Sequence, residues 1–82
     1  MSKQQKLISR FLEGPKDFTW DELKNLLSSL GYVELQGKGS RVKFYNKELD
    51  SLIQLHKPHP DKILKLYILR EIKEILKDEN LL

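Results

Sequence analysis

His56 and His59 are the two side chains of this sequence that exchange a proton near neutral pH without help from their surroundings. Acid–base chemistry would most simply use them. Each also has a plain reading. His56 would end a strand, and His59 stands between Pro58 and Pro60, both places where histidine is commonly a solvated polar residue. Two histidines three residues apart begin a metal site, but no third ligand stands near at a suitable spacing. The chain has no cysteine, which removes Cys-based zinc sites, disulfide staples and thiol nucleophiles together. No metal and no cofactor is expected. The second chemical signal is Gly37-Lys38-Gly39-Ser40-Arg41. Its glycines permit close backbone approach, its amides and the Ser40 hydroxyl can donate to a phosphate, and Lys38 and Arg41 add charge. Hairpin turns use the same residues for conformational reasons alone, so clamp and plain turn both stand. No phosphate-binding loop, G-x-S-x-G or H-E-x-x-H motif occurs.

Charge is unevenly spread around these residues. The net charge is +3, yet residues 37–70 hold eight basic residues against three acidic ones, and the rest holds seven against nine. A +5 centre between acidic flanks suits a polyanion-facing surface, with a solvated face as the bland alternative.

The elements that must position these residues fit one domain, because 82 residues leave no room for a second core. Residues 1–12 place Leu7, Ile8, Phe11 and Leu12 at helical spacing until Gly14-Pro15 ends the run, which reads as a helix or arm over 1–17 before a core of 18–82. Thr19 and Glu22 make a capping box. Trp20, Leu23, Leu26, Leu27 and Leu30 follow as an apolar stripe, closed by Gly31. No stretch approaches the ~18 apolar residues of a membrane span, so a soluble, cytoplasmic protein is expected.

Beyond Gly31 the period changes from 3.6 to 2, and three short strands follow. A two-residue turn at Lys38-Gly39 would set Leu35 opposite Val42, Val33 opposite Phe44, and Glu34 opposite Lys43. A loop of about four residues over 47–50 would set Phe44 opposite Ile53, Val42 opposite Leu55 and Arg41 opposite His56. After the proline-bounded loop, Asp61 would cap a last helix over 62–77, with a stripe of Leu64, Ile68, Ile72, Ile75 and Leu76 widened by Ile63, Leu66, Tyr67 and Leu69. The expected class is α+β, in the order α-α-β-β-β-α. Helices cover one face of an antiparallel sheet, and Tyr32, Gln36, Arg41, Lys43, Tyr45, Gln54 and His56 lie on the other.

The capped helix ending in Gly31-Tyr32, the turn Lys38-Gly39-Ser40, the Pro58-His59 loop, Leu64-Lys65 and Leu69-Arg70-Glu71-Ile72 occur in the order and spacing of one family. The chain from Phe18 onward resembles the HicA toxins of bacteria. The resemblance implies a double-stranded-RNA-binding-domain-like fold, used as an endoribonuclease that binds and cleaves mRNA and is silenced by a HicB-like antitoxin. In the family pattern a catalytic histidine follows Gly-Ser at the start of the second strand, where this sequence has Arg41. Arginine keeps its proton near neutral pH and cannot act there as a base.

The candidate catalytic residues are therefore His56, across from Arg41, His59, which matches the family's loop histidine, and Arg41 as a phosphate holder. The candidate RNA contacts are Lys38, Gly39, Ser40, Arg41, Lys43, Lys57, Lys62 and Lys65. The leading expectation is metal-independent RNA cleavage, and the alternative is a non-catalytic RNA-binding module of the same fold. A winged-helix-like DNA-binding or pure interaction domain, with the Lys38 hairpin as its wing, leaves no natural place for the third strand and last helix.

Overall fold

Thr19 Oγ1 accepts the Glu22 amide at 3.1 Å while the Glu22 carboxylate accepts the Thr19 amide at 3.1 Å, so the reciprocal cap is formed. It opens helix α2 (Trp20–Ser29), which buries Trp20, Leu23, Leu26 and Leu27. The computed structural model describes residues 3–58 and 61–82, and His59 lies outside the described residues. Before α2 comes helix α1 (Lys3–Glu13); after it come strands β1 (Val33–Gln36), β2 (Arg41–Asn46) and β3 (Ser51–His56), and helix α3 (Leu66–Asp78). The strands form an antiparallel sheet in the order β1-β2-β3, the α+β layout expected.

One core holds the molecule together. Val42 and Phe44 of β2 and Ile53 and Leu55 of β3 point into it and meet α2 and the buried Leu69, Ile72 and Leu76 of α3. The Trp20 and Phe44 rings pack at 5.8 Å between centroids. Helix α1 joins through Phe11, which meets Phe18 edge-on at 5.6 Å. On the opposite face of the sheet Arg41, Lys43, Leu52, Gln54 and His56 are exposed.

The β2–β3 hairpin has the expected register, with Arg41 opposite His56, Val42 opposite Leu55 and Phe44 opposite Ile53, across a loop at 47–50. The β1–β2 hairpin departs from expectation by one residue. Gly37 donates to the Arg41 carbonyl at 2.9 Å and Arg41 to the Lys38 carbonyl at 3.2 Å, so residues 38–40 form a three-residue loop instead of a two-residue one. Val33 then pairs with Tyr45, Glu34 with Phe44, and Leu35 with Lys43. A one-residue slip exchanges the faces of a strand. Val33 and Leu35 are accordingly 61% and 46% exposed, and Glu34 reaches Lys24 at 3.4 Å instead of facing Lys43.

The cause lies at the end of α2. Gly31 has φ 99°, and Tyr32 donates to the Leu27 carbonyl at 2.9 Å in a Schellman-type closure. That motif turns the residue after the glycine toward its own helix. Tyr32 is therefore 3% exposed and belongs to the core, not to the open face, and alternation sends Val33 outward. Gln36 is in phase with Val42, at an exposed rim.

Helix α3 begins at Leu66, with Lys65 at its N-cap, so Asp61 is not the cap and the helix does not start at residue 62. Residues 62–64 are instead extended beside residues 18–20. Trp20 donates to the Lys62 carbonyl at 2.7 Å, Leu64 donates to that of Phe18 at 2.8 Å, and Thr19 and Ile63 form an antiparallel bridge. These bonds satisfy backbone groups that a helix would otherwise have used.

Candidate nucleic-acid interface

The central strand sets the site. In β2, Val42 and Phe44 enter the core, which by alternation sends Arg41, Lys43 and Tyr45 to the uncovered face. In β3 the same rule sends Leu52, Gln54 and His56 there. Cross-strand pairing arranges them in rows: Val33, Tyr45 and Leu52 at one end, Leu35, Lys43 and Gln54 in the middle, and Arg41 with His56 at the other. The face therefore has an apolar end and a cationic end.

At the cationic end the β1–β2 loop leans on β3. Lys57 donates its amide to the Ser40 carbonyl at 2.8 Å, and Ser40 Oγ lies 3.5 Å from His56 Nδ1. Both glycines of the loop have conformational work. Gly39 has φ 64°, and a Cβ on Gly37 would stand 2.9 Å from the Arg41 carbonyl oxygen. The turn reading of these residues is thus sufficient for the glycines, while Ser40 and Arg41 are left facing solvent beside His56. Among the described residues, Lys38, Arg41, Lys43, Lys57, Lys62 and Lys65 form no salt bridge. Their charge is available to an anion from outside.

At the apolar end the Tyr45 hydroxyl donates to Asp50 Oδ1 at 2.9 Å. That hydrogen bond, with some burial, pushes the phenol pKa up, so Tyr45 is a neutral platform there. Asp50 has φ 49°, an unusual conformation for a residue with a Cβ, in the loop that brings its carboxylate to the phenol.

The structure brings Ser40, Arg41 and His56 together, with Lys43 one row away, and His56 also lines a groove shared with Lys57 and Lys65. Lys62 is not part of that groove lining, and Lys38 and Gly39 stand at the hairpin tip. Sequence reasoning missed Lys16 and Tyr67, which line the groove. The available signal was that Ile63, Leu66 and Tyr67 widened the α3 stripe further than one core could cover. Among the described residues no group of three or more His, Cys, Asp or Glu is placed to hold a metal ion, and no helix is long and apolar enough to cross a membrane.

Comparison with curated proteins and with solved structures returned no match. Comparison with protein-family models matched residues 20–80, from the first residue of α2 to just past the end of α3, to the HicA toxin of bacterial toxin–antitoxin systems. That span takes in the whole sheet, the cationic row and all of the groove lining except Lys16, and on this match the chain belongs to the HicA toxin family.

Proposed function

We propose that this HicA-family chain is an endoribonuclease acting on mRNA in the cytoplasm, with the open sheet face as its RNA surface. The observation that carries the reading is the pairing of Arg41 with His56 across the β2–β3 ladder, on a face whose cations form no salt bridge among the described residues. Residues directly opposed in a ladder have β-carbons roughly 5 Å apart, so an imidazole and a guanidinium can reach one phosphodiester. His56 takes the proton of a 2′-hydroxyl, whose oxygen attacks the adjacent phosphorus. The bond from phosphorus to the 5′-oxygen breaks, and the departing oxygen takes a proton from solvent. Arg41 and Lys43 hold the phosphate and stabilise the charge that builds on the phosphorane. Ser40 orients the ring from its Nδ1 side.

The test is cleavage of a long RNA in excess chelator by wild type, His56→Ala and His59→Ala. Loss of a general base typically costs about 10²-fold or more, and that loss is expected in His56→Ala alone. Loss only in His59→Ala would assign the base to His59 instead. Absence of cleavage by wild type would leave a second reading, an RNA-binding module of the same layout. Arg41, standing where the family pattern has histidine, is the observation that favours it.

The partner in this reading is a HicB-like antitoxin, acidic where it meets Arg41 and Lys43 and apolar where it meets Val33, Tyr45 and Leu52. Such a partner covers the RNA surface, and competition follows. A ternary complex of this chain, RNA and antitoxin at saturating concentrations would contradict inhibition by occlusion.

A further inference from the structure

A groove of about 730 Å³ opens between the end of β3 and the beginning of α3, within the ~300–1,000 Å³ typical of small-ligand sites. One side of its lining is apolar. Tyr67 is 56% exposed and Ile63 46%, although both belong to a segment whose neighbours Leu64 and Leu69 are buried. The groove also takes in Lys16, Lys57 and Lys65, none of which has an ion-pair partner among the described residues. Asp61 and Glu71 add two carboxylates to the lining. An aromatic face, unpaired ammonium groups and carboxylates that accept hydrogen bonds match the three parts of a nucleotide: the flat base, the phosphate and the amino groups of the base edge. Two carboxylates argue against a bare anion as occupant. His56 belongs both to this groove and to the pair with Arg41, so the groove adjoins the cationic row of the sheet.

We propose that this groove is a nucleotide subsite. It takes one unstacked base of single-stranded RNA on the Tyr67 ring, with the flanking phosphate on Lys57 and Lys65. The proposal rests on the reading of the sheet face as an RNA surface and adds what holds the nucleotide beside the scissile phosphate. Stacking is tolerant of base identity, so Tyr67 supplies affinity and position.

The experiment uses the full chain and a 2′-O-methyl hexanucleotide, which lacks the attacking hydroxyl and cannot be cleaved by this route. Tyr67→Ala should weaken binding about tenfold, and Tyr67→Phe, which keeps the ring, should stay within about twofold of wild type. A single abasic position moved along the hexamer should cost wild type about tenfold at one place and cost Tyr67→Ala nothing further there. The log–log salt slope should be unchanged in Tyr67→Ala and flatter by about 0.7 in Lys57→Ala, because only the lysine releases counterions. If wild type binds the hexamer but Tyr67→Ala stays within twofold, or if no abasic position matters, the subsite is wrong and the sheet-face reading survives. If wild type does not bind the hexamer at all, the RNA reading falls and the subsite falls with it.

Discussion

Both ends of the sheet carry polar side chains, Asn46 and Ser51 on the buried face at one and Ser40, Arg41 and His56 on the open face at the other, and the fold uses the two sets in opposite ways. At the β2–β3 turn, Asn46 and Ser51 are buried and every polar atom is used. Asn46 Nδ2 donates to the Leu30 carbonyl at 3.2 Å, its Oδ1 accepts the Leu49 amide at 3.3 Å, and Ser51 shares a 2.8 Å hydrogen bond with the Tyr32 hydroxyl. At the other end, Ser40, Arg41 and His56 are exposed, Ser40 and His56 share one 3.5 Å contact, and Arg41 forms no salt bridge among the described residues. Buried polar groups must be satisfied within the chain, so the first end is committed to the fold. Exposed cations cost the fold little, so the second is free for a ligand. Polarity alone does not mark a functional site; unspent polarity does.

Substitutions at the two ends should therefore separate stability from RNA affinity. The largest effect is expected from Asn46→Ala, which leaves the Leu30 carbonyl and the Leu49 amide without their partner and should cost about 2 kcal/mol in denaturant unfolding. Its RNA affinity, measured while the protein remains folded, should match wild type; a loss there would break the division. Arg41→Ala with Lys43→Ala should do the converse, weakening RNA binding about tenfold and flattening the salt slope by about 1.4 while leaving the melting temperature in place. Unchanged affinity in that double variant would remove the open face as the binding surface. Tyr32→Phe should cost about 1 kcal/mol, because it removes one buried hydrogen bond and orphans the Ser51 hydroxyl.

A network outside the sheet extends the comparison, with the smallest expected effect. Arg10 joins Glu22 at 2.6 Å and Asp17 at 3.0 Å. The Arg10 hydrogen bond, aided by the Thr19 amide and hydroxyl, holds the Glu22 carboxyl below its ordinary 4.5 against the opposing effect of burial. A carboxyl depressed in the folded state adds stability that is present above the unfolded value and lost as pH falls through the lower folded one. Glu22→Gln should therefore be less stable than wild type at pH 7, and the gap should close on acidification below about 4.5. A gap independent of pH would mean that the Glu22 charge contributes nothing and only its shape matters.

The contrast between the two hairpins shows how much of this was legible. Sequence alternation placed Arg41 opposite His56 because Val42, Phe44, Ile53 and Leu55 are apolar on one phase and polar on the other, and only one pairing buries all four. The same argument misplaced β1. Val33 and Leu35 were read as core on their side chains alone, whereas the deciding residue was Tyr32, whose hydroxyl made it look like a surface group until Ser51 supplied a buried partner.

The sequence by itself determined the order of elements, the caps of α2 and the cationic row, since each follows from residues close in the chain acting through backbone geometry and period. Only the tertiary structure decided the face of β1, the late start of α3 and the groove. The first depends on Gly31 turning Tyr32 inward against α2 and on a tyrosine–serine bond spanning 19 residues. The second depends on residues 62–64 finding backbone partners at Phe18 and Trp20, more than forty residues earlier. The groove brings Lys16, His56 and Tyr67 onto one lining from three separate segments. Contacts at such separations are settled by which polar groups can be satisfied once the core has closed, and that competition leaves no local pattern to read.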